Sequence, residues 1–212
     1  MQTSLTFVNK SLTKKPPNVV LFQENTLAGE GNQPIAWQVI RHCAEGMNRC
    51  FSFDSEIQIA AGDSYENFTS PMTASPGKRY HVNSHDFGLR VDRAGDAFSS
   101  TQINVRNCLR QGTVNVRAYR SEKLLAQKSM LIPEQYAAFQ FEPNLRVFAL
   151  DMPDIRQGQP LPEGFFDYTV HKISLLGIVR ANLIMAGGGA GHRAEAYRFH
   201  LEDVERGQAS SH

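Results

Sequence analysis

The sequence predicts an all-β fold, an antiparallel two-sheet β-sandwich of about ten to twelve strands with little helix. Three observations carry this expectation. From Phe51 to Ile59 the residues alternate, with Phe51, Phe53, Ser55, Ile57 and Ile59 on one face and Ser52, Asp54, Glu56 and Gln58 on the other, the period of a half-buried strand. Between Gln102 and Tyr119, Ile103-Asn104-Val105-Arg106 is answered by Val114-Asn115-Val116-Arg117 across a short segment containing Gly112, which reads as a β-hairpin. Clusters of Gly, Pro, Asn and Asp interrupt the apolar runs at short intervals, as turns between strands do.

Size and charge narrow the function. With 212 residues, 41% of them hydrophobic, the chain can bury a real core. A single domain over 1–204 with a polar tail at 205–212 is expected. The 22 Lys and Arg nearly balance the 21 Asp and Glu, leaving +1, so there is no charge argument for general nucleic-acid binding. No apolar run is long enough for a transmembrane helix. The first residues lack the basic and apolar regions of a signal peptide, which points to the cytoplasm, or to export without a cleaved signal. Cys43, Cys50 and Cys108 have no zinc-type spacing, and Cys43 and Cys50 flank a turn-like segment where a bridge is geometrically open.

In order along the chain, Leu5–Val8 and Asn18–Gln23 read as strands joined by the basic, proline-containing loop around Lys14-Lys15-Pro16-Pro17. Ile35–Ile40 carries the only tryptophan, Trp37, which is expected as a buried aromatic anchor. After the alternating strand at 51–59, residues 62–78 form a long Gly-, Ser-, Thr- and Pro-rich loop, a candidate contact surface. Phe87, Leu89 and Val91 alternate with Gly88 and Arg90 as a further strand. The run from Lys123 to Phe141 tolerates a helical period, but Pro133 would break it, so strand, turn and strand is the reading. Asn144–Leu150 is a strand, 151–164 is a second long loop and candidate contact surface, and 173–186 and 196–201 are strands around a glycine-rich turn.

The chemistry visible in the sequence is sparse. Gly189-Ala190-Gly191-His192-Arg193-Ala194 fits a phosphate-turn pattern, but a strand-like segment follows it where a helix is required, so a hairpin turn is the reading. His81, His85 and Asp86 form the one dense histidine-carboxylate cluster. In an extended strand residues four apart lie about 13 Å from each other, so a shared metal would need a turn at Asn83-Ser84. No cofactor is expected. Arginines gather in the middle of the chain at Arg90, Arg93, Arg106, Arg110, Arg117 and Arg120, and guanidinium clusters suit carboxylates, phosphates or sulfated sugars. Arg90, Asn104, Arg106, Asn115 and Arg117 are the expected binding surface, projecting from one sheet face.

Leu5-Thr6-Phe7-Val8-Asn9-Lys10-Ser11, Val19–Asn25 and Ile35-Ala36-Trp37, in that order, resemble the opening of a group of small bacterial and fungal β-sandwich proteins often labelled aromatic ring-opening dioxygenases. The resemblance implies an all-β fold and brings no catalytic motif to carry over. The expected function is therefore non-enzymatic: binding or self-assembly, with the chain itself or another protein as partner and an anionic or sugar ligand as a further option. The alternatives are a non-haem iron ring-opening dioxygenase using His81, His85 and a carboxylate, and a membrane-active or carbohydrate-binding sandwich of the toxin or lectin type.

Overall fold

A computed structural model describes residues 2–12, 15–27, 33–150, 154–189 and 195–207. The fold is all-β, with four mostly antiparallel sheets. Sixteen strands run through the described residues, more than the ten to twelve counted from the sequence, because several apolar runs hold two short strands around a turn. The one helical turn among them is a 3-10 turn at Phe165–Asp167. No helix in the described residues is long and apolar enough to cross a membrane.

The chain divides into two compact units. A split unit takes Met1–Gln23, Ile35–Ser55 and Pro143–His212, and an inserted unit takes Glu24–Pro34 and Glu56–Glu142. The first four strands are β1 (Gln2–Asn9), β2 (Asn18–Phe22), β3 (Gln38–Ile40) and β4 (Asn48–Asp54). The inserted unit holds β5 (Ile57–Gly62), β6 (Met72–Ala74), β7 (Lys78–His85), β8 (Gly88–Asp96), β9 (Ile103–Asn107), β10 (Val114–Arg120), β11 (Lys123–Leu131) and β12 (Tyr136–Phe139). The split unit is completed by β13 (Asn144–Leu150), β14 (His171–Ser174), β15 (Ile178–Gly188) and β16 (Glu195–Arg206), the last running into the segment expected as tail.

Each unit has one mixed sheet and one antiparallel sheet. In the split unit the orders are β16-β15-β1-β4 and β14-β13-β2-β3; in the inserted unit they are β12-β9-β7-β8 and β11-β10-β5-β6. The central pairs β1–β15 and β7–β9 are parallel. Taken in the order β13 to β16 and then β1 to β4, the split unit's strands occupy the same places in their sheets as β5 to β12 do in the inserted unit. The register agrees as well: Leu5 stands opposite Ala181 and Asn9 opposite Met185, as Ile103 stands opposite Lys78 and Asn107 opposite Val82. One path through two sheets is therefore followed twice, once continuously and once from the two ends of the chain.

Asparagines lock that path at matching points, Asn9, Asn18 and Asn107 buried and Asn115 half-buried. The Asn9 amide donates to the carbonyls of Cys43 (2.6 Å) and Ala44 (2.9 Å) and accepts from the Ser11 N–H (2.8 Å). The Asn107 amide donates to Leu131 (2.9 Å) and Gly112 (3.1 Å) and accepts from the Leu109 N–H (2.9 Å). Asn18 and Asn115 accept from the N–H of His42 (3.1 Å) and Met130 (2.9 Å), two residues in the left-handed region at φ 51° and 56°. A short side chain with two donors and an acceptor satisfies backbone groups that the ending strands leave open, which is why a buried polar residue is tolerated there.

The apolar faces expected from alternation are buried: Ile57, Ile59, Ile103, Val105, Val114 and Val116 in the inserted unit, and Phe53 in the split unit. The run 51–59, expected as one strand, instead breaks at Ser55-Glu56 into β4 and β5, which belong to different sheets. Trp37 is buried as expected, with Phe51 and Phe53 packed edge-on against it. The expected hairpin at 102–119 is not formed. β9 pairs with β7 and β12, whereas β10 pairs with β5 and β11, so the chain crosses from one sheet to the other between them. Alternation reports which side chains face inward and says nothing about the neighbouring strand; both strands face inward from opposite sheets. The three thiols are free, Cys43 buried and Cys50 exposed. Burial pushes the Cys43 thiol up to about 11.

A second apolar layer distinguishes the split unit. Val20, Phe22 and Phe148 are covered by Ile155, Leu161 and Phe165 from the connection between β13 and β14. Phe165 stands edge-on to Phe22 at 5.5 Å between ring centroids. β2 is thus buried on both faces, which explains the unbroken Val19-Val20-Leu21-Phe22. The loop expected over 151–164 as a contact surface supplies, in its described part, core side chains; 151–153 lie outside the described residues.

Candidate functional site

In the inserted unit the corresponding connection, between β5 and β6, is short and leaves space. A cleft of about 750 Å³ opens at the strand ends, between this loop, the β7–β8 turn and the β9–β10 crossing. Its polar walls include Asn67, Thr69, Asn83, Ser84, Arg110 and Gln111.

The loop is held rigidly. Asp63 accepts from the N–H groups of Tyr65 (2.9 Å) and Asn67 (3.0 Å) and from the Asn67 amide (2.9 Å). The Asn67 side chain foremost, then the two backbone donors, hold the Asp63 carboxyl below its usual range. Phe68 lies flat over Gly62, where any Cβ would meet the ring at 2.8 Å, and the Arg117 guanidinium covers the other side at 3.9 Å from the ring centroid. Asn115 ties the loop to the end of β11 by donating to the Asp63 carbonyl (3.2 Å) while accepting from Met130.

One aromatic ring of this lining, Phe87, stands without cover. Asp86 and Phe87 form the two-residue turn between His85 and Gly88, which leaves Phe87 97% exposed, and Tyr65 in the braced loop is 85% exposed. The strand expected to contain Phe87 starts at Gly88, one residue later. The turn takes Phe87 out of the run in which it alternates with Leu89 and Val91. His85 packs against the Phe87 ring at 6.4 Å between centroids.

The expected binding residues separate into two groups. Arg90, Asn104 and Arg106 belong to the mixed sheet and Asn115 and Arg117 to the antiparallel sheet, because β9 and β10 are not partners. Asn104 is fully buried and accepts from the Phe98 N–H (2.8 Å). Arg106 pairs with Glu134 and lies over the Tyr136 ring, and Arg90 pairs with Asp92 (2.6 Å). Asn115 and Arg117 brace the cleft loop from behind rather than facing a ligand.

His81 and His85 do not converge. β7 runs through Asn83 and Ser84 as regular strand, paired to β8 from His81 opposite Asp92 to His85 opposite Gly88. Burial first, then the Arg79 and Arg106 charges, lower the His81 pKa. Asp86 is in the exposed turn. Among the described residues no group of three or more His, Cys, Asp or Glu side chains is placed to hold a metal ion. In the glycine-rich motif, residues 190–194 lie outside the described residues.

Comparison with protein-family models, with curated proteins and with solved structures yields no match for this chain.

Proposed function

We propose that this protein is a non-enzymatic binding protein and that the strand-end cleft of the inserted unit is its ligand site. The observation that carries the reading is the pairing of a braced polar cleft with an uncovered aromatic ring in its lining, Phe87, at the same strand ends. A loop already fixed by hydrogen bonds and ring packing loses little entropy when a ligand arrives, so a modest set of contacts gives useful affinity. A concave site with a few convergent polar groups beside aromatic surface is the usual form of a small-ligand site. The dioxygenase alternative lacks support from the histidines, which stand apart along one strand.

The test is chemical-shift mapping of the full chain against a panel of small polar probes: saccharides, nucleotides, amino acids and short peptides. The reading expects at least one probe to shift amides in 63–69, 84–89 and 108–111 together. Shifts confined to other surfaces, or none from the whole panel, would overturn it.

A further inference from the structure

We infer that the cleft of the inserted unit is a saccharide site, in which Phe87 offers an aromatic face to the C–H face of a pyranose while Asn83, Ser84 and Gln111 bind its hydroxyls. The inference rests on the binding reading above and names its ligand class.

The chemistry of the walls selects the ligand. A sugar hydroxyl both donates and accepts, and side-chain amides and hydroxyls do the same from fixed positions. Asn83, Thr69, Ser84 and Gln111 supply these functions around one space. A phosphate-bearing ligand would call for converging cations. Of the nearby guanidiniums, Arg117 lies over Phe68 behind the loop and Arg106 pairs with Glu134, while Arg110 shares the lining with the Asp63 carboxylate. An apolar peptide segment would call for a greasy floor, whereas amides and hydroxyls make up much of this one.

The exposed ring fits the same ligand. A pyranose presents an apolar face of axial hydrogens that stacks on an aromatic ring, and such a ring must stand open beside hydrogen-bonding groups to be used. Phe87, held at the tip of a two-residue turn and lining the cleft, is in that position. Membrane insertion is the competing use of exposed rings. Here the tips carry Glu66 beside Tyr65 and Asp86 beside Phe87, and burying those rings in a bilayer would carry the carboxylates down to the headgroups.

The test is a glycan array probed with the full-length protein, followed by calorimetry with the oligosaccharides that bind, and flotation with phosphatidylcholine vesicles. Phe87→Ala and Gln111→Ala alter exposed positions, and circular dichroism confirms that each variant is folded. The inference expects at least one saccharide to bind, with affinity falling about tenfold or more in each variant. Absence of binding to every glycan, or vesicle binding that depends on Phe87, overturns it. If nucleotides or peptides shift the cleft amides while every glycan fails, the saccharide inference falls and the cleft reading stands. If glycans bind but the two variants bind equally well, both fall.

Discussion

The split and inserted units run one strand path in one register, yet close their ends differently. After β13 the split unit sends Ile155, Leu161 and Phe165 back over Val20, Phe22 and Phe148, making a second apolar layer. After β5 the inserted unit has a short loop whose Phe68 covers only Gly62, with Arg117 above it. The paired positions carry the difference: Val20 takes the place in the split unit that Arg117 holds in the inserted one, opposite Phe148 and Ala60 respectively. Bulky apolar side chains on the outer sheet face call for a lid; small ones and an arginine leave room. A shared scaffold thus carries one end closed by an apolar layer and one left open.

The comparison breaks most visibly at the lid. Phe165→Ala should cost the split unit ~3–5 kcal/mol, because a buried ring leaves a cavity between Phe22 and Phe148. Phe68→Ala, removing a half-buried ring, should cost the inserted unit only about 1–2 kcal/mol. Urea unfolding checks both, with fluorescence of the single Trp37 reporting the split unit and amide signals the inserted one.

The strand-end locks should behave alike. Asn9→Ala and Asn107→Ala should each cost about 2–4 kcal/mol, since each leaves two carbonyls and one N–H without their partner. A cost in one unit and none in the other, measured by the same unfolding curves, would show that the matching geometry is not matching energetics. Gly62→Ala probes the inserted unit's own device: a methyl group there displaces Phe68, and a loss of about 1–3 kcal/mol should come with broadened amide signals over 63–69.

Smaller effects come from titration. Asp63 has its folded pKa depressed below the ordinary 3.8, so its stabilisation of the loop is present above 3.8 and is lost as pH falls through the lower folded value. The Tyr65 and Asn67 amide shifts should report that transition below pH 3.8 in the intact chain and no transition in Asp63→Asn. Thiol labelling at pH 8 should modify Cys50 in the folded protein and Cys43 only after denaturation, because Cys43 is buried with its pKa at about 11.

Much of the fold was legible in the sequence and little of the site. Alternation at 103–106 and 114–117 identified strands and their inward apolar residues, since burial on one face has a period of two whatever the partner strand is. The run 51–59, which reads as one strand, is split at Ser55-Glu56 between β4 and β5 of different sheets. Partner choice was not legible, so β9 and β10 read as a hairpin although they lie in different sheets. The repeated path had a faint signal in Asn18-Val19-Val20-Leu21-Phe22 against Asn115-Val116-Arg117-Ala118-Tyr119, and in Asn9 and Asn107 at the ends of Leu5–Val8 and Ile103–Arg106. It was hidden because the outer-face residues differ wherever one unit is lidded and the other open. The stretch 62–78, expected as one long loop, contains β6 at Met72–Ala74, so the β5–β6 connection is confined to 63–71. The exposure of Phe87 at a turn and the hydrogen bonds that tie Asp63 to residues up to four positions away leave no mark in the alternation.

The central claim is that the inserted unit carries an open, preorganised site where the split unit carries a lid. Crystals soaked in a series of small organic solvents and in a simple disaccharide test it directly. The account predicts probe density gathered against Phe87, Asn83 and Gln111 with the 63–69 backbone unmoved, and none displacing Phe165 in the split unit. Probe density that clusters at the Phe165 lid, or a 63–69 loop that rearranges to fill the cleft itself, would contradict it.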